Sequence, residues 1–179
     1  VKKKIHVTGG KGFIGQNICQ GLASKYEMAA SDIDTASVLR RDLLTELFRE
    51  EKPDVVIHLA GLMGAQQSKK DLFDYFSVNA FGTLNVLEAA FQCGIKNVIY
   101  FSSLTVHGHN GARNAPKKES DPFQPLHPYA TSKVMGEHIV QEYAKHHGIR
   151  AVILRPTIIV GNLGGETNAV NEFVQSALE

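Results

Sequence analysis

Short apolar runs alternate with segments whose apolar residues recur at helical spacing from residue 4 to residue 154, and no other feature constrains the fold as much. Lys4-Ile5-His6-Val7-Thr8 reads as a strand running into Gly9-Gly10-Lys11-Gly12-Phe13-Ile14-Gly15, after which Ile14, Ile18 and Leu22 mark one helical face. A second strand over residues 27–31 ends at Asp32, and Leu43, Leu44, Leu47 and Phe48 line a short helix that Pro53-Asp54 terminates. Val55-Val56-Ile57-His58-Leu59-Ala60 is a nearly continuous apolar run, and Phe76, Ala80, Leu84, Leu87 and Phe91 predict a long helix capped by Gly94. A strand over 97–102, a polar loop over about 107–128, a helix carrying Met135, Ile139, Val140 and Tyr143 up to Gly148, and a strand Ala151-Val152-Ile153-Leu154 complete the series. Buried strands separated by helices specify an α/β fold: a doubly wound parallel sheet with helices on both faces and right-handed crossovers. Ligands of such sheets bind beyond the carboxyl ends of the strands, where Gly9, Asp32, Ala60 and Ser103 all fall.

Composition removes several classes of function. Nineteen basic against eighteen acidic residues leave a net charge of +1 with no long basic block, so nucleic acid is not an expected partner. No apolar stretch approaches the roughly 20 residues that span a bilayer, and the start lacks a secretory apolar region, which predicts a cytoplasmic protein without a membrane partner. Cys19 and Cys93 lack Cys/His ligand spacing, so they read as reduced core cysteines and no metal is expected. No internal repeat or flexible linker divides residues 1–179.

Gly9, Gly12 and Gly15 are spaced three apart between a strand and a helix, where missing side chains let backbone N–H groups approach a pyrophosphate at the positive helix end. Asp32 ends the next strand 17 residues after Gly15, placed to accept hydrogen bonds from an adenosine ribose. Strand, turn, helix, strand and acid in that order form a dinucleotide fingerprint, and a carboxylate there repels a 2′-phosphate, so NAD is expected over NADP. Lys11 in the turn softens that preference, and Asp34 competes with Asp32 for the ribose. The alternative is an ordinary tight turn with a solvated acid.

Tyr129 and Lys133 lie four apart at the start of a helix and so share a face. A phenol is a poor base at neutral pH, and a neighbouring ammonium together with an oxidised nicotinamide would lower its pKa. A hydroxyl from Ser102 or Ser103, with Ser103 preferred, would hold a substrate oxygen beside it. In isolation the Tyr/Lys spacing is a common coincidence.

Thr8-Gly9-Gly10-Lys11-Gly12-Phe13-Ile14-Gly15, His58-Leu59-Ala60-Gly61, Asn79-Ala80-Phe81-Gly82-Thr83, Phe101-Ser102-Ser103, Tyr129-Ala130-Thr131-Ser132-Lys133 and Leu154-Arg155-Pro156 together resemble the ordered motifs of the NAD-dependent epimerase/dehydratase family of extended short-chain dehydrogenases/reductases. The resemblance implies a Rossmann NAD-binding domain over residues 1–160 and the start of a substrate lobe over 161–179, in a chain shorter than the family's usual length. It implies Tyr129 as acid/base, Lys133 on the nicotinamide ribose and Ser103 on the substrate. It also implies a cofactor site of Gly9, Gly12, Phe13, Ile14, Gly15, Asp32, Leu59, Ala60, Gly61, Tyr129, Lys133 and Pro156, with Asp42 and Leu43 on the adenine. Asn79 is a cofactor-side or a structural residue, and His58 a strand histidine or a ligand.

Departures bear on the subclass. The short interval between Asp32 and Asp42 predicts an abbreviated third strand at Ala36-Ser37-Val38-Leu39, as in reductase-like members. Ser103-Leu104-Thr105-Val106-His107-Gly108 lacks the Thr-Asp-Glu group of the dehydratases and resembles the epimerase version, with His107 where tyrosine is frequent. The expected activity is reversible oxidation of a secondary alcohol on a nucleotide sugar, as an epimerase; a dehydrogenase or reductase, or a non-catalytic dinucleotide-binding protein, are the alternatives. The family resemblance also implies a homodimer through helices near 74–92 and 129–147.

Overall fold

The computed structural model describes residues 2–63, 72–108 and 116–160. Strands β1 (Lys4–Thr8), β2 (Glu27–Ser31), β3 (Val55–His58), β4 (Asn97–Phe101) and β5 (Arg150–Leu154) form one sheet in the order β2-β1-β3-β4-β5. Every pairing is parallel, with Thr8 beside both Ser31 and His58, and Tyr100 beside both His58 and Ile153. The chain runs outward from β1 to β2 and then crosses back to β3, so the order reverses at β1/β3 and opens a crevice beyond their carboxyl ends.

The period-2 alternation of the strands feeds two cores. Val56, Val98 and Tyr100 point to a face packed by α3 (Arg41–Glu51), α5 (Gly82–Gln92) and α6 (Pro128–His146), where Leu44, Phe48, Val86, Leu87 and Val140 are buried. Ile5, Val7 and Ile57 form the second core with Ile18 and Leu22 of α1 (Phe13–Leu22). The α1 side is covered less far along the sheet, and Val152 and Leu154 of β5 remain 53% and 40% exposed. No helix of the described residues is long and apolar enough to cross a membrane.

Two expectations about local structure are corrected. Residues 36–39 are not a strand: Asp32 caps a helical turn, α2 (Ile33–Ala36), through a capping box with Thr35, and the irregular segment that follows buries Val38 against Gly82. Closing that local box satisfies the backbone without a sheet partner. The long helix over 76–91 is interrupted as well. A short α4 (Leu72–Tyr75) leads into a π-helical stretch, Phe76–Phe81, where the Gly82 N–H reaches back to the Ser77 carbonyl before α5 resumes. Apolar spacing cannot reveal that extra residue per turn, and such stretches concentrate at functional sites.

Helix α6 starts at His127, whose Nδ1 accepts the Ala130 N–H at 3.1 Å, and Pro128 occupies its first turn. Lys145 sits in its last turn, where its charge complements the helix dipole. The expected second lobe, residues 161–179, lies outside the described residues.

Candidate functional site

A cavity of about 700 Å³ is lined by the segments that leave all five strands, a size ordinary for a small-molecule site. The turn after β1 forms its floor. Gly9 and Gly10 both donate to the Ser31 carbonyl, at 2.8 and 3.0 Å, which ties the turn to the end of β2. Gly9 has φ +76°, and a Cβ there would lie 2.7 Å from the Ala60 nitrogen. At Gly15 a Cβ would meet the Gly9 carbonyl oxygen and stand 2.7 Å from Gly10 Cα, so α1 rests directly on the turn. Helix α1 begins there with no capping side chain and no acid in its first turn, so no side-chain oxygen caps its N-terminal N–H groups.

Asp32 stands on the cavity wall with its carboxylate held at both oxygens. Oδ1 accepts the Ile33 N–H at 2.8 Å and Oδ2 the Lys11 N–H at 2.9 Å. Phe13, Ile14, Leu59, Ala60, Gly61 and Pro156 line the same cavity. Asp42 and Leu43 do not. Asp42 is an exposed residue of the first turn of α3, bonded through both oxygens to Arg40, which lowers its pKa to about 2, and Leu43 packs against the core. With residues 33–36 wound into a helix, it is Ser37, Val38 and Leu39 that reach the wall where the sequence had placed Asp42 and Leu43.

The opposite wall carries Ser102, Ser103, Tyr129 and Lys133. The Tyr129 phenol faces the same cavity as Ser103, and its ring stacks on His127 and meets Tyr75 edge-on. Burial raises the phenol's pKa, and the neighbouring Ser103 hydroxyl opposes the rise. The Lys133 ammonium donates to the Phe101 carbonyl at 2.7 Å and lies 5.1 Å from the Tyr100 ring centroid. Burial lowers its pKa to about 8, with the negative charge of Glu137 opposing the shift. Ser102 is otherwise engaged: its hydroxyl donates to Glu137 at 2.5 Å.

Glu137 was not singled out from the sequence, although it stands eight residues after Tyr129 on the same stripe of α6 as Lys133. It is fully buried and takes a two-pronged ion pair from Arg155, at 2.9 and 2.7 Å. Arg155 also donates to His107 at 3.0 Å and to the Glu119 carbonyl at 2.8 Å. One carboxylate therefore joins the ends of β4 and β5 to α6, and His107 supports that junction.

A second buried network crosses beneath the cavity. Thr83 donates to the Asn79 carbonyl at 2.6 Å, so it accepts from His58 Nε2 at 3.0 Å, which leaves His58 Nδ1 to accept from Thr8 at 2.7 Å. His58 is thus a satisfied strand histidine, and burial together with the charge of Lys133 lowers its pKa to about 3. Asn79 sits in the π-helical stretch and holds the Leu62 backbone at both N–H and C=O, while its amide donates to Ser132 at 2.9 Å. Among the described contacts its role is structural, anchoring the segment after β3 to α6. Gly61 has only 3.0 Å between a would-be Cβ and the Asn79 oxygen.

Fold and cavity define a doubly wound α/β domain of the Rossmann type, with its crevice at the point where the strand order reverses. The profile of the NAD dependent epimerase/dehydratase family matches residues 5–179, and the chain belongs to that family. It is 30% identical over 175 residues to UDP-glucose 4-epimerase of Azospirillum brasilense, covering 88% of this chain and 49% of the relative. UDP-glucose 4-epimerase from Brucella ovis in complex with NAD superposes with a TM-score of 0.80 at 29% identity, over 86% of this chain and 51% of that one. RMD from Pseudomonas aeruginosa complexed with NADPH gives 0.76 at 31% identity, over 87% and 53%. The chain spans about half the length of these relatives.

Proposed function

We propose that this chain binds NAD across the crevice and supplies the proton-transfer group for reversible oxidation of a secondary alcohol on a nucleotide sugar, in the manner of a 4-epimerase. The observation that carries the reading is the convergence of Tyr129, Lys133 and Ser103 on the cavity that the glycine turn floors. The residues present fit the cofactor: a turn with no room for a Cβ at Gly9, Gly10 or Gly15, a helix N-terminus with no side-chain cap, and a fixed carboxylate after β2 suit in turn a pyrophosphate, its negative charge and a ribose diol. When bound, NAD supplies the hydride acceptor.

Tyr129 takes the alcohol proton as the carbonyl forms and returns it on reduction, while Ser103 holds the substrate oxygen beside the phenol. The raised pKa of the buried phenol keeps it protonated; to accept the alcohol proton, it relies on the positive charge of Lys133 and of the oxidised nicotinamide. Lys133, with its pKa at about 8, keeps most of its charge at neutral pH and reaches for the nicotinamide ribose. Gly61 and the other residues after β3 back the cofactor, and Pro156 closes the far side. A reductase is the second reading, favoured by the likeness to the NADPH-bound relative. Retention of all three acid/base residues speaks against a non-catalytic binder. A homodimer through α5 and α6 belongs to the same reading, supported by the partial exposure of Phe91 and Met135.

Replacing Tyr129 by Phe in the full protein is expected to lower turnover of the nucleotide sugar at least about 100-fold while NAD binding persists. Unchanged turnover would refute the acid/base assignment.

A further inference from the structure

Lys11, Asp32 and Asp34 meet where β1 and β2 end, and their contacts are unequal. Asp32 and Lys11 line the cavity, whereas Asp34 stands outside it. The main chain of Lys11 belongs to Asp32, through an N–H donated at 2.9 Å, but its ammonium is turned to Asp34, with which it forms an ion pair. Both side chains of that pair are more than half exposed, at 66% and 53%. Among the described residues Lys11 and Lys133 are the only lysines or arginines lining the cavity, and Lys133 is bonded to Phe101 at the other end. Lys11 is therefore the cation available to the ribose corner, and Asp34 holds it.

We propose that Asp34 is a specificity-determining residue: by pairing with the ammonium of Lys11 it withholds that cation from the 2′-phosphate of NADP and so favours NAD. The proposal rests on the dinucleotide reading above and extends it. Asp32 alone disfavours a phosphate by repulsion, and the ammonium of Lys11, whose main-chain N–H is bonded to Asp32, is the nearby charge that offsets that repulsion when it is free. With Asp34 in place the corner carries one net negative charge and no uncommitted ammonium. Without it the corner is neutral and the Lys11 side chain is released, in solvent, where the attraction to phosphate depends on salt. Binding of NAD, whose ribose meets Asp32 through hydroxyls, is indifferent to the change.

The test is calorimetric titration of the chain with NAD and with NADP, for the unmodified protein, Asp34→Asn, Lys11→Ala and the double variant. Asp34→Asn is expected to tighten NADP about three- to tenfold and to leave NAD within about twofold. The NADP gain should disappear when Lys11→Ala is also present, and shrink as salt is raised. An unchanged NADP affinity in Asp34→Asn would overturn the proposal. So would an equal gain in the Lys11→Ala background, because removal of a charge would then account for it without the lysine. Because both residues are exposed, NAD binding by each variant serves as the control for folding. Failure of the unmodified chain to bind either dinucleotide would instead refute the reading on which the proposal stands.

Discussion

On the β1–β2 side the wall of the cavity is mostly main chain, whereas on the β4–β5 side it is made of buried side chains. The first wall consists of a glycine turn, an uncapped helix end and one half-buried carboxylate tied to backbone N–H groups. The second depends on Ser102, Lys133, Glu137 and Arg155, whose partners lie 18 to 48 residues apart in the chain. A main-chain wall is specified locally and fails only where a side chain cannot fit. A side-chain wall is specified by the whole fold and fails when one partner is removed, because the buried polar groups left behind have no water to turn to.

The largest effect is expected on the second wall. Glu137→Ala strips Arg155 and Ser102 of a shared buried partner and should cost about 3–5 kcal/mol of stability in chemical denaturation. A loss below about 1 kcal/mol would mean that the junction is solvated and the contrast between the walls is overstated. On the first wall, Gly15→Ala forces a methyl group onto the Gly9 and Gly10 backbone and should cost about 1–3 kcal/mol together with dinucleotide binding. Gly21→Ala, in the same helix with open space around it, should instead be neutral or stabilising by up to about 1 kcal/mol. Equal behaviour of the two glycines would break the claim that close approach, rather than helix propensity, selects Gly15.

The smallest effect concerns the network that joins the walls. The His58 value of about 3 lies below its unfolded value near 6.5, so the unfolded chain binds more protons between those limits and stability is lost as pH falls through that window. From pH 6.5 to 5.5 the loss from this group should be about 1 kcal/mol, and thermal melts of His58→Gln should show a shallower acid slope than the unmodified chain. Parallel slopes would remove His58 from the account.

The contrast also explains what could be read in advance. Short apolar runs marked all five strands, β1 and β3 almost continuously because both faces of the sheet are covered there, and glycine spacing gave the turn because its geometry is local. Tyr129 and Lys133 were legible as a pair on one helical face. The third strand was not, because a capping box at Asp32 captured residues that a family pattern assigns to the sheet, and with it the placement of Asp42 and Leu43 was lost. The π-helical stretch at Asn79 was hidden because nothing in apolar spacing records an i to i+5 hydrogen bond. Glu137 was hidden for another reason: a carboxylate on a helix reads as solvated until a fold brings Arg155 and Ser102 to it.

The central claim is that both walls serve one dinucleotide, and titration of the chain with NAD, followed by protection of individual amides from hydrogen exchange, tests it most directly. The account predicts saturable binding that protects amides of the glycine turn around Gly12 to Gly15 together with those around Ser103 and Tyr129. Binding that protects only the turn, or no binding by a folded chain, would contradict it.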